Sequence, residues 1–361
     1  MLTPPIEPML AKPMGHAVPT EATDLIFEPK WDGFRCLVFV TADAVVLQGR
    51  GRSNSAPGGV VDLAYAFPEL VVAVREQVPV GTVVDGEIVV ENAGRLDFAA
   101  LSSRLRPRTE AGGGNIARLS VELPASILAF DLLWASGDVM HEPFQDRRRR
   151  LEQLAQAWEP PLLLTPTTRD PDVARDWFER FESAGVDGLI VKPLADPYSP
   201  GKRTQGKIKH QRTIDAVVAG WRPHARSGFD GQPVIGSLLL GLFDDVGVLH
   251  YVGASSAFTA GVRASLVGEL APITSAALEP HPWRGETTAN IPGEANRWKK
   301  EQAWIALRPE RVVEVTYDQL EGRRLRHTAG FVRWRPDRSA DSCTFEQLEV
   351  PPPSRIEALL A

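Results

Sequence analysis

The chain contains little cysteine and no long apolar run. Its two cysteines among 361 residues, Cys36 and Cys343, match neither the spacing of a zinc site nor a disulfide framework. Such sparse cysteine usage is typical of a reducing compartment, so we predict a cytoplasmic protein. The N-terminal residues lack the basic segment and apolar run of a signal peptide, and no stretch approaches the roughly 18 uninterrupted apolar residues of a membrane span. The sequence therefore predicts neither export nor a membrane span.

The chain also lacks a net positive charge. It carries 46 acidic and 40 basic residues, which gives a formal net charge of −6. This balance does not indicate a nucleic-acid-binding protein, but it does not exclude one, because phosphate recognition depends on where cations cluster. At 43% hydrophobic and 24% charged residues, the composition is ordinary for a globular protein. A chain of this length exceeds one hydrophobic core, which predicts about two domains.

Lysine is scarce as well. Only 8 of the 40 basic residues are lysine, and 32 are arginine. Arginine is effectively always protonated, whereas a lysine amine can lose its proton and act as a nucleophile. One of the few lysines, Lys30, lies in the segment E-P-K-W-D-G-F-R at 28–35. A solvated lysine at the end of a strand would also explain this position, so Lys30 alone leaves both interpretations open.

The first part of the chain has the pattern of a mixed α/β domain. Between about residues 27 and 192, short apolar runs typical of strands alternate with helical patterns. A helix is predicted over 170–185, where Asp170 is a candidate N-cap and Gly185 a candidate stop. The apolar runs that we predict as strands are 83–90, 126–134 and 188–192.

The pattern changes near Thr213. From there on, short predicted strands are separated by turn-rich segments, and one helix is predicted over 259–271. Several short strands with one helix favour a small β-barrel, with an OB-fold as the leading candidate. The predicted fold is therefore α+β, with a domain boundary near residues 210–214.

Charged residues are set into apolar strand patterns at three places. Alternate side chains of an extended strand share one face. Burying a charge without a partner is expensive, so carboxylates in such runs are expected to meet a partner, for which metal ions or cationic substrate groups are candidates. For each set taken singly, an antiparallel sheet with one solvated face is the alternative. The three sets are Glu28, Lys30 and Asp32; Asp85 and Glu87; and Lys207 and Lys209.

Together these groups could attack a phosphoryl group. A free lysine has a pKa of about 10.4, which nearby cations and partial burial depress. Lys207, Lys209 and a bound Mg²⁺ would supply that field, and Glu87 and Asp187 suit a hard cation that bridges phosphate oxygens. An amine nucleophile, a metal and a phosphate-neutralising pair would give a phosphoramidate on Lys30.

The chain resembles the covalent nucleotidyltransferase superfamily, and specifically bacterial, actinobacterial-like ATP-dependent DNA ligases. The resemblance runs from about residue 5 to residue 345. K-x-D-G alone is a weak pattern, but six further motifs follow it in the order of the family. The seven motifs are K-W-D-G-F-R (30–35), G-R (49–50), D-G-E-I (85–88), F-D-L-L (130–133), D-G-L-I-V-K (187–192), K-I-K-H (207–210) and R-P-D-R (335–338).

The resemblance implies an α+β fold in which a nucleotidyltransferase (adenylation) domain, residues 1–211, precedes a β-barrel OB-fold domain, residues 212–361. It also implies an enzyme that seals nicks in duplex DNA in three steps. Lys30 takes AMP from ATP, the AMP passes to the 5′-phosphate of the nick, and the adjacent 3′-hydroxyl displaces it. Mg²⁺, with Mn²⁺ as an alternative, would support each transfer.

By the same resemblance, Lys30 is the catalytic nucleophile, and Lys207 and Lys209 assist it at the α-phosphate. Glu28 would help to read the adenine edge. Phe130 would stack on the purine, with packing in the core as the alternative. The ATP-binding residues that the resemblance implies are Glu28, Arg35, Arg50, Asp85, Glu87, Phe130, Lys192, Lys207, Lys209, Arg335, Asp337 and Arg338.

The resemblance implies further roles for charged residues. Glu87 and Asp187 would hold the metal ion. Arg335, Asp337 and Arg338 would reach the departing pyrophosphate only when the second domain closes over ATP. Guanidinium groups would contact DNA, since their fork fits phosphate oxygens. The implied DNA-binding residues are Arg35, Arg50, Arg222 and Arg226.

The sequence departs from the family pattern at three positions. Asp187 stands where most relatives have Glu, Gln205 replaces a frequent Trp, and Arg338 replaces a usual Lys. These changes bear on rate and metal preference more than on the type of reaction. For the run R-R-R-R at 147–150, a DNA contact and a solvated helix face are both open.

The lysyl-nucleotide step is shared by DNA ligases, RNA ligases and mRNA-capping enzymes. Segments 304–317 and 324–335 resemble the second domain of DNA ligases and favour that function. An RNA ligase, a capping-type nucleotidyltransferase and a non-catalytic nucleic-acid-binding relative are the alternatives, although the last would be expected to lose Lys30. We expect a monomer in DNA repair, cytoplasmic and nucleoid-associated, with nicked duplex DNA and end-binding or gap-filling repair proteins as partners.

Overall fold

The computed structural model describes residues 2–21, 23–51, 59–105, 113–224, 234–274, 281–284, 303–348 and 354–360. The chain divides into two compact units, Met1–Lys209 together with Pro351–Ala361, and His210–Val350. Both units contain helices and strands, so the predicted α+β class is confirmed.

The first unit contains two sheets and several short helices. Its strands are β1 (Ala11–Pro13), β2 (Leu25–Trp31), β3 (Phe34–Val40), β4 (Val45–Gly49), β5 (Thr82–Asn92), β6 (Arg95–Leu96), β7 (Ala125–Ala135), β8 (Leu162–Leu164), β9 (Val186–Pro193) and β10 (Gln205–Ile208). Its helices before the second unit are α1 (Pro68–Gln77), α2 (Phe98–Ser103), α3 (Gly113–Glu122), α4 (Phe144–Ala155) and α5 (Pro171–Arg180).

The two sheets bring distant motifs together. The larger sheet has the order β4-β3-β5-β7-β8, with β6 paired to β5, and the smaller has the order β1-β10-β9-β2. The pairs β1–β10 and β7–β8 are parallel, and the others are antiparallel. The smaller sheet therefore places the strand of Lys30 beside the strand that begins at 186, with the strand of Lys207 next to that.

Strand β5 lies at the centre of the larger sheet, between β3 and β7. Both of its faces carry buried apolar residues. Val84 and Ile88 enter one hydrophobic cluster, whereas Val83 enters another. Since alternate residues of a strand share a face, Asp85 and Glu87 lie on the face of Val83. The predicted pairing of these two carboxylates on one face of a strand is confirmed.

Two motif glycines are required by close approaches of the backbone. A Cβ atom on Gly33 would lie 2.2 Å from the carbonyl oxygen of Ile88 and 2.8 Å from Cγ of Glu87. Gly188 has a φ of +104°, and a Cβ atom there would lie 2.1 Å from the carbonyl oxygen of Ile208. A side chain at either position would push apart strands that carry the charged motifs.

The second unit is built on one antiparallel sheet. Its strands are β11 (Arg212–Pro223), β12 (Ile235–Phe243), β13 (Leu249–Ser255), β14 (Ile305–Tyr317), β15 (Leu320–Glu321), β16 (Arg324–Leu325) and β17 (Gly330–Trp334). The sheet order is β13-β12-β11-β14-β17, and β15 pairs with β16 in a separate hairpin. The strand pairings of the described residues leave this sheet open, so they do not confirm the predicted closed barrel.

The second unit also contains helix α6 (Ala260–Leu270), close to the predicted range of 259–271. The side chain of Thr259 caps its N-terminus by accepting a hydrogen bond from the backbone N–H of Val262. Leu266 and Leu270 of this helix pack into the core of the unit. None of the helices in the described ranges combines the length and apolarity needed to cross a bilayer.

The C-terminal residues return to the first unit. Helix α7 (Glu357–Leu360) follows Ile356, whose backbone N–H donates to the carbonyl oxygen of Gly94 at 2.8 Å. Ile356 and Leu359 are buried in a cluster with Trp31. The sequence pattern placed residues 212–361 in one domain, whereas residues 354–360 complete the core beneath the strand of Lys30.

Candidate active site

Lys30 lies at an irregularity in strand β2. The register of β2 against β9 shifts between Pro29 and Trp31, so Lys30 falls at the break in the ladder. Its ε-ammonium donates to Oδ2 of Asp187 at 2.5 Å. The Lys30 side chain is 24% exposed and that of Asp187 is 7% exposed. The amine is therefore held at the wall of a cavity by a nearly buried carboxylate.

Two further lysines surround this pair. Lys209 Nζ lies 2.9 Å from the same Oδ2 of Asp187. Partial burial, followed by the positive charges of Lys209 and Lys30, lowers the pKa of Lys207. The structure therefore brings together Lys30, Asp187, Lys207 and Lys209, as the sequence predicted, so three ammonium groups lie around one carboxylate.

A cavity next to Lys30 gathers most of the residues that were predicted to bind ATP. Its walls also include residues 8–11 of the N-terminal segment. Asp85, Asp187 and Lys209 are not among the lining residues, although Asp187 contacts Lys30 directly. The predicted residues that line the cavity are Glu28, Lys30, Arg35, Arg50, Glu87, Phe130, Lys192 and Lys207.

A buried ion pair forms one wall of the cavity. Oε2 of Glu28 lies 2.7 Å from Nζ of Lys192, and both residues are 2% exposed. Burial raises the pKa of Glu28 and lowers that of Lys192, and each charge opposes the effect of burial on the other. Oε1 of Glu28 is buried and has no hydrogen-bond partner among the residues that the structure describes. An unpaired buried acceptor is costly, so a ligand that donates a hydrogen bond here would be favoured.

Phe130 lies beside this ion pair. Cζ of Arg35 lies 4.3 Å from the centroid of the Phe130 ring, and Nζ of Lys192 lies 4.7 Å from it. Phe130 belongs to none of the hydrophobic clusters that the described residues form. Phe130 also lines the cavity, so the ring packs against cations of the cavity wall rather than in an apolar core, the alternative that the sequence left open.

Asp85 acts from behind the cavity wall. It is fully buried, and its two oxygens accept hydrogen bonds from Nε and Nη2 of Arg35 at 2.6 and 2.7 Å. The hydroxyl of Tyr198 also donates to Oδ2 of Asp85 at 2.7 Å. The geometry assigns Asp85 to the orientation of Arg35 rather than to direct contact with a ligand.

Tyr198 completes a closed ring of hydrogen bonds that the sequence did not predict. Its hydroxyl accepts from the backbone N–H of Met9 at 3.0 Å, and Nη2 of Arg35 donates to the carbonyl oxygen of Met9 at 3.4 Å. The ring therefore ties the N-terminal segment to Asp85. In the sequence, Tyr198 is a single aromatic residue in D-P-Y-S-P, and no local pattern connects it with Asp85, 113 residues earlier.

Glu87 and Asp187 are the candidate metal ligands, and both border Lys30. Burial, with the negative charges of Asp85 and Asp32, raises the pKa of Glu87 to about 7 against the opposing charges of Arg35 and Lys30. Within the described ranges, no three His, Cys, Asp or Glu residues form a metal cluster. Two carboxylates still fit Mg²⁺, which commonly takes one or two carboxylates and completes its shell with water and substrate phosphates.

Two of the four arginines at 147–150 are buried in the core of the first unit. Arg147 in helix α4 is fully buried and donates to both oxygens of Asp131 at 2.8 and 3.0 Å. Arg148 is also buried. The two remaining arginines are exposed, and Arg149 pairs with Asp146 of its own helix. A DNA contact is therefore excluded for the first two members of the run as they lie in this structure.

The remaining predicted residues lie in the second unit or outside the described residues. Arg222 is near the end of β11, and Arg226 lies outside the described residues. Arg335 and Arg338 gather around the carboxylate of Asp215, and Asp337 pairs with Arg335.

Two family models match the chain. The model described as ATP dependent DNA ligase domain matches residues 8–210. The model described as ATP dependent DNA ligase C terminal region matches residues 231–338. The first match contains the whole cavity described above.

Comparison with individual proteins gives the same result. DNA ligase C2 of Mycolicibacterium smegmatis is 44% identical and covers 97% of this chain and 96% of its own length. DNA ligase C of Mycobacterium tuberculosis is 43% identical and covers 96% of this chain and 95% of its own. A solved structure of a Lig E DNA ligase, 18% identical, covers 91% of this chain and 99% of its own with a TM-score of 0.52, which supports the fold. This protein therefore belongs to the family of ATP-dependent DNA ligases.

Proposed function

We propose that this enzyme seals nicks in duplex DNA during DNA repair, through AMP bound covalently to Lys30. The observation that carries the proposal is the ε-ammonium of Lys30, held 2.5 Å from Asp187 at a cavity lined by cations. A lysine used only for solubility would not be fixed beside a buried carboxylate and two further ammonium groups.

In the first step, Nζ of Lys30 attacks the α-phosphorus of ATP. A nitrogen–phosphorus bond forms, the bond from phosphorus to the bridging oxygen breaks, and pyrophosphate leaves with the electron pair. Lys30 must lose its proton before it attacks, and Oδ2 of Asp187 is close enough to accept it. Lys207 and Lys209 neutralise the charge that develops on the α-phosphate.

Glu28 supplies the preference for adenine. Its unpaired Oε1 accepts a hydrogen bond from the exocyclic amine of the purine. Guanine has a carbonyl oxygen at the corresponding position, which would face the carboxylate oxygen without a proton between them. Phe130 offers its ring as a stacking surface, and Arg35 and Arg50 contact the ribose and phosphates.

Glu87 and Asp187 would hold Mg²⁺, for which Mn²⁺ is an alternative, together with the phosphates of ATP. The ion would neutralise phosphate charge during transfer. In the second unit, Arg335, Asp337 and Arg338 would stabilise the leaving pyrophosphate.

We further propose that residues 1–211 form the adenylation domain and that the second domain, from residue 212, is an OB-fold. Arg35, Arg50, Arg222 and Arg226 would contact the DNA. We propose a monomer in the cytoplasm at the nucleoid, with end-binding or gap-filling repair proteins as partners.

The proposal is tested by intact-mass measurement of the protein after incubation with ATP and Mg²⁺. We expect the mass to increase by one AMP and to return to its starting value when pyrophosphate is added. Lys30→Ala should stay unlabelled, and GTP should label the wild type far more weakly than ATP. Labelling of Lys30→Ala, or equal labelling by GTP, would contradict the proposed site. Sealing of nicked DNA but not of nicked RNA separates a DNA ligase from an RNA ligase.

A further inference from the structure

In the second unit, the carboxylate of Asp215 in strand β11 forms ion pairs with two arginines, Arg335 and Arg338. Nη1 of Arg335 lies 2.9 Å from each of the two carboxylate oxygens of Asp215. Nε of Arg338 lies 3.4 Å from Oδ2 of the same carboxylate. The side chain of Asp215 is only 10% exposed, so this single carboxylate is a nearly buried anchor for both cations.

The Arg335 guanidinium is held on its other edge as well. Its Nε and Nη2 donate to Asp337 at 2.9 and 2.8 Å, which forms a two-pronged ion pair. The carboxylates of Asp337 and Asp215 raise the pKa of Arg335. Arg335 is thus fixed between two carboxylates, whereas Arg338 is 35% exposed and can reach a ligand.

The backbone of Asp215 is itself immobilised. Asp215 pairs with Glu314 across β11 and β14. The side-chain amide of Gln347 accepts from the N–H of Asp215 and donates to its carbonyl oxygen, both at 3.1 Å. The carboxylate is therefore anchored in the sheet, whereas Arg335 and Arg338 lie in the turn that follows β17 and are held there by their contacts with Asp215.

We propose that Asp215 is a positioning residue that orders Arg335 and Arg338 for the departing pyrophosphate. The inference rests on the proposed function, which assigns the pyrophosphate to these arginines. A free arginine loses side-chain entropy when it is ordered on a ligand, and Asp215 reduces that cost because it orders both arginines before ATP binds. Because pyrophosphate leaves only in the first of the three steps, Asp215 should affect AMP transfer to Lys30 and not the sealing of a nick that already carries AMP.

The test is Asp215→Asn, assayed separately for the two reactions. We expect the single-turnover rate of lysyl-AMP formation to fall by roughly tenfold, as expected from the loss of a charge-assisted contact. Sealing of a nick with a preformed 5′-adenylate should keep its wild-type rate, which also shows that the variant is folded. Equal loss in both reactions, or no loss in the first, would overturn the proposal.

Glu314→Gln provides the matched control. Oε2 of Glu314 lies 3.9 Å from Nη1 of Arg335 and accepts from Nε of Arg333 at 2.7 Å. The substitution removes the same charge from the same neighbourhood without a direct hydrogen bond to Arg335 or Arg338. We expect a change of about twofold or less in lysyl-AMP formation. A loss as large as that of Asp215→Asn would show a general charge effect and reject the positioning role.

Asp215→Glu is a second variant in case the asparagine variant does not fold. It keeps the negative charge but displaces the carboxylate by one methylene group. We expect slower lysyl-AMP formation with unchanged sealing of the adenylated nick, and a wild-type rate in both reactions would count against the proposal. A wild-type protein that forms no lysyl-AMP would reject the proposed function itself, which is a different result from any difference between variants.

Discussion

Asp85 shows how a buried carboxylate shapes a ligand site from behind its wall. Both of its oxygens hold the guanidinium of Arg35, whose planar fork leaves little freedom of orientation once it is bound from one side. Arg35 in turn lies over the ring of Phe130. The position of a cation in the cavity beside Lys30 is therefore set by a residue that does not line the cavity.

The hydroxyl of Tyr198 should matter for binding of ATP. Tyr198→Phe keeps the ring but leaves the N–H of Met9 without its acceptor and Asp85 without one donor, which costs about 1–3 kcal/mol in a buried site. We expect a lower free energy of unfolding and a severalfold higher KM for ATP in lysyl-AMP formation, with a smaller change in kcat. The control is Tyr251→Phe in the second unit, which should leave the KM unchanged. An unaltered KM in Tyr198→Phe would show that the hydrogen-bonded ring is only structural.

For individual residues, the sequence predicted the charged residues of the candidate site, but it did not predict the residues that hold them through hydrogen bonds and ion pairs. Lys30, Asp187, Lys207 and Lys209 could be predicted because their motifs follow in the order of the DNA ligase family, which the sequence resembles, whereas Tyr198 belongs to none of those motifs. Tyr198 could not be predicted, because its partner Asp85 is distant in the sequence and only the folded chain brings them within 2.7 Å. Asp215 was missed for the same reason, since Arg335 lies 120 residues beyond it.

Secondary-structure elements followed the local pattern where capping residues were present. Helix α6 begins after Thr259, and helix α5 begins after Asp170, whose side chain accepts from the N–H of Asp172. Helix α5 ends at Arg180, earlier than the predicted stop at Gly185. The inward direction of Arg147 in helix α4 could not be predicted, because the charge is tolerated in the core only through its ion pair with Asp131.

His281 links two strands of the second unit and is used on both ring nitrogens. Its Nε2 lies 2.9 Å from the carbonyl oxygen of Ala219 in β11 and 3.2 Å from that of Leu307 in β14. The backbone N–H of Trp283 donates to Nδ1 at 3.1 Å. The two carbonyl groups require a donor and the N–H requires an acceptor, so the ring is neutral with its proton on Nε2. Burial accordingly lowers the pKa of His281.

The second unit should therefore lose stability in mild acid. A histidine whose pKa is lower in the folded protein stabilises the fold fully above its unfolded pKa of about 6.5, and this stability is lost as pH falls below that value. We expect His281→Gln to reduce the difference in free energy of unfolding between about pH 7.5 and about pH 5.5. Urea unfolding followed by tryptophan fluorescence measures it. His16→Gln, which replaces an exposed histidine, is the control and should show the wild-type change in free energy of unfolding between the two pH values. If the wild type, His281→Gln and His16→Gln all show the same change, His281 does not cause the loss of stability in acid.

At the scale of the whole molecule, cation placement matters more than net charge. The chain has a formal net charge of −6, yet lysine and arginine outnumber the acidic residues that line the cavity beside Lys30. Binding to the DNA backbone through phosphate contacts would be independent of sequence and would weaken with salt. This is compatible with an acidic protein as long as the cations are clustered.

Arg222 tests this view of DNA binding. We expect Arg222→Ala to weaken binding to nicked duplexes of different sequence by a similar factor and to reduce the slope of log affinity against log salt by about 1. Fluorescence anisotropy over a series of salt concentrations measures both quantities. Arg149→Ala removes an exposed arginine that pairs with Asp146 in helix α4, and it should leave the slope unchanged. If both variants give the wild-type slope, Arg222 does not contact phosphate.

The return of residues 354–360 to the first unit has a practical use for measuring motion. Cys36 and Cys343 are buried, and burial raises the pKa of both thiols, that of Cys343 to about 11, so neither reacts readily with a dye at neutral pH. Glu357 is exposed, so Glu357→Cys would offer an accessible thiol. A fluorophore attached there would report on the first unit, which carries Lys30. Residue 357 belongs to that unit although it follows the second unit in the sequence. Paired with a second dye on β17, it would allow energy transfer to test whether the distance between the two units changes when ATP is added.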